Sequence, residues 1–108
     1  MTMHDYQLTI GLFDKDTKTQ EIATVEAINL ISDTLITKYD LYAFTLIECH
    51  GVYRMDDGSI VREPSIRIEI ASENNIDDLL HDAIEELKAA LNQESIMYKK
   101  SVSDIDFI

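Results

Sequence analysis

The chain has 108 residues, 45% hydrophobic and 28% charged, with 21 acidic against 9 basic side chains and a formal net charge of -12. That length suits one domain around one core, and the apolar content excludes an intrinsically disordered chain. The negative surplus opposes direct binding of nucleic acid or anionic membrane by the general surface, and leaves solubility or a basic protein partner as its use.

A single cysteine, Cys49, excludes an intrachain disulfide. The opening "MTMHDYQLTI" has neither the basic stretch nor the continuous apolar run of a secretory signal, so a cytoplasmic setting is expected. No apolar run approaches the ~20 residues that cross a bilayer.

"DYQLTIGLFD" sets Tyr6, Leu8, Ile10 and Leu12 against Gln7, Thr9, Gly11 and Phe13, the alternation of a half-buried strand. "TQEIATVEAINLISDTLITKY" places Ile22, Val25, Ile28, Ile31, Leu35 and Ile36 on one arc, and predicts an amphipathic helix entered through the Thr/Asp cluster at 14–19. "LYAFTLIECHGVYRM" and "IVREPSIRIEI" are β-rich runs around "DDGS", whose Asp57-Gly58 pair predicts a tight hairpin. "NIDDLLHDAIEELKAALNQ" predicts a second helix, with Asn75 as N-cap and Asp77 and Asp78 favouring its first turn. The tail "SIMYKKSVSDIDFI" predicts a last strand with an irregularity near Lys99 to Ser103. The order is ferredoxin-like βαββαβ over residues 1–108: a four-stranded antiparallel sheet with two helices on one face. Its other face lies open to solvent, a ligand or a second copy, and a homodimer is expected.

A two-residue turn at Asp57-Gly58, or a four-residue loop around it, pairs Ile47 with Ile68, Cys49 with Ile66, Gly51 with Pro64 and Tyr53 with Arg62, keeping one face mostly apolar. A three-residue loop would pair Ile47 with Arg67 and mix the faces. The hydrophobic pattern favours the first register, which puts Ile47 and Cys49 beneath the helices. Glu48 then faces Arg67, His50 faces Ser65, Val52 faces Glu63 and Arg54 lies diagonal to Glu63, all on the open side, while Arg62 sits near the hairpin end beside Tyr53.

All three arginines fall in this hairpin. They form either a cross-strand salt-bridge ladder or, with His50, a site for an anionic or carbonyl-bearing ligand. A Ser65-His50-acid triad is disfavoured, because flat strand positions supply neither nucleophile elbow nor oxyanion donors. Glu48 with His50 does not complete a metal site, and no cofactor motif is present. His81 reads as solvated and Cys49 as a small buried hydrophobe.

"LTIGLFD", "GVYRMDDGSIVREPS" and "NQESIM" resemble, in that order, motifs of a family of small bacterial proteins classed as a domain of unknown function. The family pattern runs G-x-W-x-x-x-x-G-x-I-x-R-E-x-S with a later Q-E-S; here Tyr53 stands in place of Trp, and Pro64 interrupts the run. The resemblance implicates Gly51, Tyr53, Gly58, Ile60, Arg62, Glu63 and Ser65, with Gln93, Glu94 and Ser95. It implies no reaction, but suggests a hydrogen-bonded network joining the third strand to the segment entering the last.

The expected function is recognition of a small polar or anionic ligand, or of a partner, through Glu48, His50, Arg54, Arg62, Glu63, Ser65, Arg67, Gln93, Glu94 and Ser95. The alternative is an acidic interaction protein, such as a phage-encoded inhibitor. Its helices, bearing Glu21, Glu26, Asp33, Asp77, Asp78, Asp82, Glu85 and Glu86, would occupy a basic surface of a nucleic-acid-handling partner.

Overall fold

The computed structural model describes residues 1–108. In chain order they form β1 (Thr2–Gly11), α1 (Thr24–Tyr39), β2 (Thr45–Arg54), β3 (Ile60–Ser72), α2 (Asp77–Ala90) and β4 (Met97–Asp104). The strands make one antiparallel sheet in the order β2-β3-β1-β4, the ferredoxin-like arrangement.

Alternation in the two central strands sets the core. Tyr6, Leu8 and Ile10 of β1 and Ile66, Ile68 and Ile70 of β3 point to one side, where they join Ala27, Ile31 and Leu35 of α1 and Leu80, Ala83, Ile84 and Leu87 of α2 in one buried cluster. Each fully buried Leu or Ile contributes about 1.5–3 kcal/mol. Helix α1 is shorter than its apolar arc predicts. Phe13 bridges Gln20, and the Gln20 side chain donates to Ile22 O and Thr24 Oγ1, both at 3.0 Å, so residues 14–23 form a tethered loop. Val25 and Ile36 of the predicted arc are exposed.

Asn75 acts one residue further from α2 than predicted: its Oδ1 accepts from the Asp77 N–H at 3.0 Å, and Ile76 holds the N-cap position. Strand β4 pairs with β1 continuously from Met97 to Asp104, without the predicted irregularity. No helix is long and apolar enough to cross a membrane.

The hairpin corrects the predicted register. Ile47 lies opposite Arg67, Cys49 opposite Ser65, Gly51 opposite Glu63 and Tyr53 opposite Val61. Its turn is the cause. Arg54 pairs with Ile60, and the Met55 N–H donates to Ser59 O at 2.8 Å, which leaves Asp56-Asp57-Gly58 as a three-residue loop. Gly58, at φ 89°, supplies the left-handed residue that ends such a loop. Asp57 Oδ1 fixes it by accepting from the Ser59 N–H at 2.8 Å and Oγ at 2.6 Å. An odd loop length reverses the face of every β2 side chain. The reversal is tolerated because β2 is an edge strand: Leu46 and Phe44 pack against the core in place of Ile47 and Cys49.

Candidate functional site

The reversal divides the residues that the sequence groups together. Glu63, Ser65 and Arg67 of β3 lie on the uncovered face, as predicted. Glu48, His50 and Arg54 lie on the helix side, opposite Ile66, Pro64 and Ile60, at positions where they remain exposed. Arg62, opposite Val52, is on that side too, so Arg54 and Arg62 share a face from which Arg67 is absent. His50 and Ser65 therefore cannot meet. Ser65, 4% exposed, donates instead to Glu63 O at 3.1 Å. Cys49 is half-buried on the uncovered face rather than in the core. Arg67 Nε lies 3.3 Å from Glu69 Oε1 as an ion pair without hydrogen-bond geometry, and faces Ile47 rather than Glu48.

A cleft of about 510 Å³ opens where β1 ends, between the loop after β1, the base of the β2–β3 hairpin and the segment linking α2 to β4. That volume is in the range of small-molecule sites. Phe13 is its organising residue. The Phe13 N–H donates to Glu63 Oε2 at 2.8 Å, and the Phe13 carbonyl accepts from Gln93 Nε2 at 2.9 Å. Glu63 of β3 and Gln93 after α2 thus grip the two polar groups of one peptide segment, joining the motifs that the sequence resemblance groups. Glu94 and Ser95 line the same cleft.

Gly11 makes room for this carboxylate. A Cβ there would sit 2.4 Å from Glu63 Oε2 and 2.5 Å from Oε1, so any side chain at position 11 would displace it. Glu63 Oε1 accepts no hydrogen bond from the protein and remains available. Tyr53, two residues beyond Gly51 on the same face of β2, has its phenol pKa raised, first by burial and then by the negative charge of Glu63. Phe13, Tyr53, Met55 and Val61 give the cleft an apolar wall, and Lys15 and Lys18 stand on its rim.

The structure thus unites Glu63, Gln93, Glu94 and Ser95 of the predicted set and leaves Glu48, His50, Arg54, Arg62, Ser65 and Arg67 outside the cleft lining. Sequence reasoning missed Gly11, Phe13 and the two lysines. Gly11 carried a signal: a glycine within an alternating strand marks a close approach. Phe13 acts through its backbone, which its side chain does not announce.

A second polar cluster lies at the N-terminus of α2. Tyr6 Oη accepts from the Ile76 N–H at 2.9 Å and donates to Asn75 Oδ1 at 3.4 Å, and Tyr98 donates to Asp77 at 2.7 Å. Lys100 pairs with Asp77 at 3.1 Å, and His81 stands 3.4 Å from it, edge-on to Tyr98. These hydrogen bonds and the Lys100 charge hold the Asp77 carboxyl below its ordinary range. Among the helical acids, Glu85 and Glu86 pair with Lys88 and Lys38, whereas Glu26, Asp33, Asp78 and Asp82 form no ion pair.

No family model and no curated protein matches the chain. Solved structures do. A phage SAM lyase in complex with S-methyl-5'-thioadenosine superimposes with a TM-score of 0.69 and 20% identity over 92% of this chain and 80% of that one. Its apo state gives 0.64 and 21% over 95% and 86%. CutA from Synechococcus elongatus gives 0.55 and 13% over 94% and 75%. At these identities the likeness shows the fold.

Proposed function

We propose that the Glu63 cleft binds a small cationic nucleoside, with S-adenosylmethionine as the leading ligand. The observation that carries this reading is the Glu63 carboxylate, seated over Gly11, with one oxygen held by the Phe13 N–H and the other open in a cleft that Tyr53 also lines. A sulfonium has no N–H to donate. It is recognised by Coulombic attraction to a carboxylate and by aromatic faces, and this cleft combines Glu63 with Phe13 and Tyr53. The apolar wall suits the flat base of a nucleoside, and the net charge of -12 favours arrival of a cation. The phage SAM lyase likeness extends over most of both chains and supports the same ligand class.

Titration calorimetry with S-adenosylmethionine tests the reading, with S-methyl-5'-thioadenosine quantified in the same samples. Wild-type protein should bind, and Glu63→Gln, which keeps the side-chain shape but not the charge, should weaken binding by about tenfold or more, on the order of 1.4 kcal/mol. Equal affinity in the two proteins removes Glu63 from the site. Release of the thioadenosine would make the cleft catalytic. Pairing of two copies across the uncovered sheet face belongs to the same proposal, and light scattering would read it.

The unpaired carboxylates of Glu26, Asp33, Asp78 and Asp82 support a second reading, in which the helical surface binds a basic protein partner. Capture that survives their charge reversal would exclude it.

A further inference from the structure

We infer that Lys15 and Lys18 form an anion-selecting rim on the same cleft, so that its ligand is amphoteric: a cationic centre toward Glu63 and a carboxylate toward the lysines. The inference rests on the proposed ligand class and adds the part of the ligand that decides between members of that class.

Neither lysine forms an ion pair, a condition that Lys99, Arg54 and Arg62 share, and what sets Lys15 and Lys18 apart is that they line the cleft. The chain holds 21 acidic residues, and Lys38, Lys88 and Lys100 each pair with a carboxylate at 3.1–3.2 Å. Lys15 and Lys18 have none within 4.0 Å, although Asp14 and Asp16 are their neighbours in sequence. Those two acids are engaged elsewhere. Asn92 Nδ2 donates to Asp14 Oδ2 and Asp16 Oδ2, both at 2.9 Å, and Asp14 Oδ1 accepts from the backbone N–H groups of Asp16 at 2.8 Å and Thr17 at 3.1 Å. Amides thus take the hydrogen-bonding positions of these carboxylates, so Lys15 is attracted to Asp14 without forming an ion pair with it.

The loop also holds Lys18 in a conformation unusual for its type. Its φ is 61°, in the left-handed region, and its N–H is tied to Asp14 O at 2.9 Å. Glycine would fit that backbone with less strain, but would carry no charge to the cleft. Two cations on the rim stand against the carboxylates of Asp14, Glu63 and Glu94, of which Asp14 is engaged by Asn92, so the site carries both signs of charge. An α-amino acid attached to a sulfonium nucleoside offers the complementary pair, with its carboxylate meeting the ammonium groups.

Calorimetry with S-adenosylmethionine and its decarboxylated analogue, on wild type and on Lys15→Ala/Lys18→Ala, tests the rim. The lysines are exposed, so the double variant should melt as the parent does. Wild type should prefer the carboxylate-bearing compound by about tenfold. The double variant should lose that preference while holding the decarboxylated analogue as before. An equal preference in both proteins, or no preference in wild type, overturns the rim. If the double variant loses the preference while Glu63→Gln binds normally, the rim stands and the role given to Glu63 falls. Wild type that binds neither compound overturns both.

Discussion

Two polar networks stand in this fold, and they differ in whether their groups are satisfied within the protein. At the start of α2, Tyr6, Asn75, Asp77, Tyr98 and Lys100 close on one another: hydroxyls, carboxylate and ammonium each find a protein partner. Beyond the C-terminal end of β1, Glu63 and Gln93 are anchored through Phe13, yet one Glu63 oxygen and the ammonium groups of Lys15 and Lys18 face a cleft without partners. A closed network stiffens a fold, whereas an open one next to a cavity is a place for a ligand to supply the missing half.

The contrast predicts that substitutions will act differently in the two networks. The largest stability effect is expected from Tyr6→Phe. It removes the acceptor of the part-buried Ile76 N–H, so chemical denaturation should show a loss of about 1 kcal/mol, the net worth of a typical hydrogen bond. Ligand affinity should be unchanged. Should Tyr6→Phe instead weaken binding, the networks are coupled and the division fails.

Gly11→Ala should do the reverse. Its Cβ pushes against the flexible end of Glu63 rather than against backbone, so the fold should melt within a few degrees of the parent while S-adenosylmethionine binding falls by about tenfold. An unchanged affinity would mean that the seat of Glu63 does not matter to the ligand.

The smallest effect concerns acid. Asp77 has a folded-state pKa below its unfolded value, because Tyr98 and Lys100 favour the carboxylate. Its contribution is therefore present above the unfolded pKa and is lost as pH falls through the folded one. Asp77→Asn should be less stable than the parent at neutral pH, and the gap should shrink in melts run at progressively lower pH. A gap that does not change with pH would separate Asp77 from the closed network's electrostatics.

How legible the fold was depends on the strand. In β3 the alternation of Ile66, Ile68 and Ile70 with Arg67 and Glu69 is unambiguous, because helices bury one side fully. Edge strand β2 reads "TLIECHGVYR", where Leu46 and Ile47 compete for the same interior position and either parity leaves an apolar residue outside. The Asp56-Asp57-Gly58 loop, with Gly58 in the left-handed region, settled the competition against the apparent hydrophobic pattern. Of the candidate site, Glu63 and Gln93 were legible as members of quoted motifs. Their meeting point was not, since both bind the backbone of Phe13.

By itself the sequence determined the order of elements, the face of each central strand and the strong negative charge, because these follow from side-chain period and from composition. Only the tertiary structure decided which face of β2 carries Cys49 and Tyr53, that Glu63 lies over Gly11, and that Lys15 and Lys18 share its cleft. The reason is physical. Local periodicity records burial, whereas a site depends on chain reversals a few residues long and on backbone groups identical in every residue.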